Sequence, residues 1–345
     1  MAPTTNEKKM KMEEASSGNY VPDDIAFCIL SKLPIKSIKR FSSVRKSWSL
    51  LLENPNFFKM FRDNLISKSH PFYDDACLIL KQYLNSHGWN FYFLSGDKFE
   101  NQVKLNLPPP FNNPHIGHIH ILGSAVNGTL CIYDNKRNAI LWNPSIDEVK
   151  VIPSSLAELP PKVMRDITLI RFGYDHVRND YKVIRQVGII TFNNHPWDIV
   201  KHEPFLEIYS LKCDSWMKIL SDTPTGFQNG NSVVYLNGVC HWSEKTDDCV
   251  NLVSYDLDNE VFFITPLPLE DVLDGSVVNL QVLNGSLAAI LNHKKTTSFQ
   301  ISILGELGVK ESWLKLFNVG PLPSIQLPIG VWKKGNIFLR KTAMN

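Results

Sequence analysis

The 345-residue chain carries 43% hydrophobic and 20% charged residues, the proportions of a soluble globular protein, which excludes wholesale disorder. Its 36 basic and 34 acidic residues leave a net charge of +2, which argues against a dedicated nucleic-acid binder. At roughly 150 residues per domain the length predicts about two domains and a core that needs no disulfide or metal staples.

Residues 1–19 hold Lys8, Lys9 and Lys11 with no apolar run behind them. They are expected to be a disordered polar tail and not a secretory signal, which requires an apolar core segment. No stretch of the chain approaches about 18 consecutive apolar residues, so no membrane span and no membrane partner are expected. The six cysteines (Cys28, Cys77, Cys131, Cys213, Cys240 and Cys249) form no C-x-x-C pair. In a chain of this size that scatter fits reduced thiols in the cytoplasm or nucleus.

Residues 20–68 read as a small helical module. Val21-Pro22-Asp23-Asp24 is a good helix opening, because proline is tolerated at the start and carboxylates favour the positive end of the dipole. Ile25, Ile29 and Leu33 recur every four residues beside Leu30 and make an apolar stripe. Pro34 ends that helix or begins the next. Ile35, Ile38 and Phe41 carry a second apolar face, Val44, Trp48, Leu51 and Leu52 a third, and Asn54-Pro55 is expected to supply the stop. Three short helices are at the edge of independent stability, and their stripes are too many to cover one another. The surplus apolar surface predicts either a partner site or packing on the following domain, and periodicity leaves both open. The segment from Tyr20 to His70 has nine basic residues against four acidic ones, a local net charge of +5, which would steer an acidic partner toward it.

The same residues carry a family resemblance. Val21-Pro22-Asp23-Asp24-Ile25, Ile29-Leu30, Leu33 to Ile38, Arg40-Phe41, Val44 and Lys46-Ser47-Trp48 together resemble the F-box of plant F-box proteins. The resemblance implies docking onto the Skp-family adaptor of a cullin–RING ubiquitin ligase. The adaptor-binding set it implies is Val21, Pro22, Ile25, Ile29, Leu33, Pro34, Ile35 and Ile38, some facing the adaptor and some the module's own core. Val21 stands where the family has leucine, and Arg45 where it has cysteine or serine.

From residue 69 to 345 the period switches to alternation. Val103, Leu105 and Leu107, then Val253, Tyr255 and Leu257, then Phe299, Ile301 and Ile303 alternate with polar residues, as half-buried antiparallel strands do. Asn127-Gly128, Asn237-Gly238 and Asn284-Gly285 are the dipeptide best suited to tight hairpins. Asn237 and Asn284 are 47 residues apart, Gly285 and Gly335 are 50 apart, and Asn127 and Asn237 are 110 apart. Ser-Trp-x-Lys recurs at Ser215-Trp216 and Ser312-Trp313, 97 residues apart. A β repeat of that length predicts a propeller, with about five to six blades in the 275 residues after position 70.

Asn127 to Cys131 followed by Leu141 to Ser145, Phe172-Gly173-Tyr174-Asp175 with Asp180 to Val183, Glu207 to Leu211, and Leu236 to Trp242 resemble the kelch-like F-box-associated domain of the same plant family. Further strands are usual in that family beyond the point where Ile337-Phe338-Leu339 falls here, so the last blade is expected to be incomplete. Gly-Gly doublets of kelch repeats are absent and Trp197-Asp198 does not recur, so a WD40 array is not supported.

No catalytic constellation emerges. His115, His118 and His120 are the most metal-like group, but Pro114 and Gly117 mark a loop and no acidic or thiol ligand stands at ligand spacing. Cys240-His241 with Cys249 reads as buried strand positions. Asp74-Asp75 and Asp247-Asp248 read as solvated doublets, and Asp175 and Asp180 as turn caps around Asn179. Trp142, Trp216, Trp242 and Trp313 read as blade core. The fold class expected is α+β by segregation, a three-helix F-box module followed by an all-β propeller. The function expected is a non-catalytic substrate-recognition subunit of an SCF-type ligase. It would need no cofactor or metal and bind no nucleic acid, and its target protein is unassigned. The rivals are a non-ligase interaction scaffold and a kelch-type metal-dependent oxidoreductase.

Overall fold

The structure, a computed structural model, describes residues 21–33, 35–67, 78–84, 88–96, 99–112, 118–136, 138–154, 162–192, 199–219, 229–245, 249–268, 277–293, 297–322, 325–331 and 337–341. The polar tail with Lys8, Lys9 and Lys11 lies outside them. So do Pro34, Asp74-Asp75, Cys77, Pro114, His115, Gly117, Trp197-Asp198, Asp247-Asp248 and Gly335.

The helical module comprises α1 (Asp23–Leu30), α2 (Ile35–Ser42), 3-10 turns at Lys46–Trp48 and Leu51–Glu53, and α3 (Pro55–Ser67). Pro22 caps α1, and its carbonyl accepts the Ala26 amide at 2.9 Å. Asn54-Pro55, read from the sequence as a stop, is also the start of α3. Asn54 Oδ1 accepts the Asn56 and Phe57 amides at 3.0 and 3.1 Å, and Pro55 takes the first helical position, where no amide partner is needed.

Behind the helices the described strands form six antiparallel sheets. The first is β1 (Leu78–Leu84), β2 (Gly88–Ser95) and β3 (Asn101–Leu105). The second is β4 (Ile119–Ile121), β5 (Leu130–Asp134), β6 (Ala139–Asn143) and β7 (Glu148–Val151). The third pairs β8 (Val163–Asp175) with β9 (Asp180–Phe192), and continues through β11 (Phe205–Ser210) to β12 (Ser215–Ile219). Short β10 (Ile199–Lys201) lies along the far end of β9. The fourth is β13 (Asn229–Leu236), β14 (Val239–Lys245), β15 (Val250–Asp256) and β16 (Val261–Pro266). The fifth is β17 (Val277–Leu283), β18 (Ser286–His293), β19 (Ser298–Leu304) and β20 (Trp313–Val319), and the sixth is β21 (Ile325–Val331) with β22 (Ile337–Lys341).

Consecutive sheets stack face to face through separate cores. Phe91 meets Ile132 and Ile140 between the first and second sheets. Cys131 and Leu141 meet Phe172 and Tyr209 between the second and third. Ile184 and Ile208 meet Trp242 and Val253 between the third and fourth. Leu252 meets Leu280, Leu287 and Leu291 between the fourth and fifth. A chain of sheets, each a meander packed on the one before, is a β-propeller.

The stacking corrects the strand reading. Ser254 is as buried as Val253, because the inner strands are covered on both faces by neighbouring blades and are not half-buried. Val103 goes the other way: on edge strand β3 it is exposed. The three Asn-Gly turns are as predicted, with positive φ at both residues of each pair, 49° and 77° at Asn127-Gly128, for example. The repeated Ser-Trp is an inter-blade latch. Trp216 opens the outer strand of the third sheet and donates its Nε1–H to the Pro153 carbonyl beyond β7 at 2.7 Å. Trp313 does the same from the fifth sheet to Pro266 of β16 at 3.0 Å. Trp142 and Trp242 are buried in the blade core.

Candidate functional site: an apolar face on the helical module

The stripe of α1 divides. Ala26 and Leu30 are buried, whereas Ile25 and Ile29 are 50% and 53% exposed. Adjacent residues on a helix are about 100° apart, so one face packs inward and its neighbour stays open. Val21 and Pro22, ahead of the helix, are exposed as well. The end of α1 is held in place by Ser31, whose hydroxyl donates to the Cys28 carbonyl at 2.9 Å and accepts from Asn64 of α3 at 2.8 Å.

Of the other residues in the implied adaptor set, Leu33 is half-buried and packed on the module's core. Pro34 lies outside the described residues, and Ile35 begins α2. Ile38 is 1% exposed. It belongs to the core and has no surface to offer a partner. Periodicity placed Ile38 on an apolar face but could not say what covers that face.

The structure adds residues to the open surface. Val44 is 68% and Leu50 60% exposed, and Phe41 is exposed beside Trp48, the two rings meeting edge-on at 6.5 Å. A 280 Å³ cleft lined by Phe27, Leu50, Leu51, Glu53 and Asn54 opens next to them. Leu50 escaped the sequence reading because the run Leu50-Leu51-Leu52 does not reveal which leucine turns outward. Arg45 reaches back to the Val21 carbonyl at 3.4 Å, so the departure from cysteine or serine ties the two ends of this surface together.

Several described titratable groups of the propeller are engaged structurally. His120 stacks on Tyr133 with ring centroids 5.0 Å apart and meets Asn135 Oδ1 at 3.1 Å. His118 lies between His120 and Trp89, at 6.5 and 5.2 Å. Among the described residues no three His, Cys, Asp or Glu side chains gather as a metal site. His241 is buried with Nδ1 2.8 Å from Ser254 Oγ, and burial pushes its pKa down to about 3. Burial pushes the Cys131 and Cys240 thiols up to about 12, so neither is an activated nucleophile. Asp175 caps its turn, accepting the Arg178 amide at 2.8 Å. Asp180 does more than cap: it accepts Ser210 Oγ at 2.5 Å and the Lys212 amide at 2.8 Å, tying β9 to the β11–β12 turn.

Residues 91–343 match the F-box associated beta propeller domain. From Arabidopsis thaliana, the F-box protein CPR1 is 24% identical over 331 residues, taking in 89% of this chain and 74% of that one. The F-box protein At3g07870 is 27% identical over 368 residues, 96% of this chain and 84% of its own length. A further Arabidopsis F-box relative is 28% identical over 165 residues, which cover 48% of this chain and 40% of the relative. The helices ahead of a stacked β domain and the match across that domain lead to one assignment. The chain belongs to the F-box associated β-propeller family and is a plant F-box protein with an F-box-associated domain.

Proposed function

We propose that this protein is the substrate-recognition subunit of an SCF-type cullin–RING ubiquitin ligase, working in the cytoplasm or nucleus. Residues 20–68 are the F-box that docks on a Skp-family adaptor, and loops at one end of the propeller hold a target protein. The observation that carries this reading is the exposure of Ile25 and Ile29 on a short helix whose other face is already buried. Open apolar surface of this kind on a basic module suits an acidic, partly apolar partner. The chain acts by position: holding a target lysine near ubiquitin charged on another subunit raises the effective concentration of the reactants, and no side chain here takes part in the transfer.

The test is co-purification of the full-length chain with a Skp-family adaptor. The double substitution Ile25→Asp/Ile29→Asp changes only exposed positions. It leaves Leu33 untouched, because that residue of the implied adaptor set packs against the core. Loss of adaptor binding with an unchanged melting curve is expected, as is protection of the exposed Cys28 thiol from alkylation in the wild-type complex. Undiminished binding by the double variant refutes the interface. Failure of the folded wild type to bind any adaptor refutes the ligase role.

A further inference from the structure

The two faces of the fifth sheet are covered by different things. Leu280, Leu287, Ala289, Leu291 and Leu304 face the fourth sheet and share its core. The residues between them, Ala288, Ile290, Ile301 and Ile303, point the opposite way, as the β18–β19 register requires, with Ala288 opposite Ile303 and Ile290 opposite Ile301. That second face is in one continuous core with Ala26, Leu30, Ile38, Leu51, Phe57 and Phe61 of the helical module. The helices therefore occupy a position against β18–β20 that a neighbouring blade occupies on the other side.

The packing is close. Phe57 and Phe61 are 0% and 1% exposed; they stack with centroids 6.5 Å apart, and Phe27 meets Phe57 edge-on at 5.6 Å. Two eight-residue helices and the 13-residue α3 offer little apolar surface of their own to cover these rings, and the cluster that buries them takes in Leu283, Ile290, Ile301 and Ile303 of the propeller face.

We infer that Leu30, Phe57 and Phe61 are positioning residues: they lock the helical module onto the fifth blade and thereby fix the direction of the Ile25–Ile29 face relative to the propeller. The module is a rigid continuation of the blade stack and not a tethered domain. Leu30 follows Ile29 directly, so seating Leu30 in the shared core sets where Ile29 points. This deepens the proposed function, because a fixed angle between adaptor face and target-holding end selects which target lysines come within reach of the transfer. A flexible tether would average over them.

Hydrogen exchange followed by mass spectrometry on the full chain tests the lock without the ligase. Phe61→Ala, with the milder Phe61→Leu in case the first fails to fold, is compared with wild type. If the core is shared, exchange in β18–β20 accelerates by about tenfold or more, while β5–β6 is unchanged. Ile301→Val, made from the propeller side, should in turn accelerate exchange in α3. The Ile25→Asp/Ile29→Asp variant should leave β18–β20 as in wild type. Acceleration confined to residues 23–67 in either Phe61 variant, or no response of α3 to Ile301→Val, overturns the inference. Neither result depends on adaptor binding, so failure of the ligase reading and failure of the lock are separately visible.

Discussion

Arg185 and Glu207 test how the blades are held together. They are direct cross-strand partners on β9 and β11, with side chains only 7% and 11% exposed. Arg185 donates from Nε and Nη2 to the same Glu207 oxygen at 3.0 and 2.8 Å, and its guanidinium lies 3.7 Å over the Trp216 ring. Burial pulls the Arg185 pKa down, and the Glu207 hydrogen bond opposes that pull. Arg185→Met keeps the aliphatic stem but takes the Arg185 charge and its two hydrogen bonds away from the buried Glu207 carboxylate. Removing one member of a buried pair costs about 3–5 kcal/mol, whereas replacing both with apolar residues is close to neutral. The single variant should therefore lose about 3–5 kcal/mol in urea unfolding followed by tryptophan fluorescence, and Arg185→Met/Glu207→Leu should recover to within about 1 kcal/mol of wild type. The effect should spread beyond one sheet, because Trp216, beneath the guanidinium, is the residue latched to Pro153 of the preceding blade. A single-variant loss under about 1 kcal/mol, or additive losses in the double variant, would refute the account of a desolvated, interdependent pair.

Two further outcomes follow from blade packing. A Cβ at Gly173 would come within 2.7 Å of both Leu257 and Tyr235 and 2.9 Å of Cys240 Sγ, where the third and fourth sheets touch. Gly173→Ala should therefore destabilise by about 1–3 kcal/mol in the same urea assay, and a neutral effect would show that this contact yields freely. His241 titrates at about 3 when folded against an ordinary 6.5, so below pH 6.5 the unfolded chain takes up the proton first. Stability should fall as pH drops from 6.5 toward 3, at up to about 1.4 kcal/mol per pH unit from this group. His241→Gln should remove that part of the slope between pH 6.5 and 4.5, and parallel wild-type and variant curves would refute the assignment.

The parts legible in the sequence are those decided locally. Asn127-Gly128, Asn237-Gly238 and Asn284-Gly285 need only their own backbone to form a turn with positive φ, and the start of α1 is marked by Pro22 and the spacing of its apolar residues. What covers a surface is non-local, and there the sequence falls short. The polar residue Ser254 suggested a solvated face, but its hydroxyl is buried against His241, because the next blade lies where water was expected. Phe61 and Ile301, 240 positions apart, belong to one core, and neither periodicity nor spacing records it. The stripe on α1 shows the limit most clearly. Ile25, Ile29 and Leu30 read as one apolar band, broader than an eight-residue helix needs to bury itself once. Packing on the propeller and docking a partner look like competing explanations of that band, yet Leu30 is buried and Ile29 is open. With the proposed docking the helix is turned between two surfaces and has to be apolar on both sides, and the excess width of the band is what that proposal accounts for.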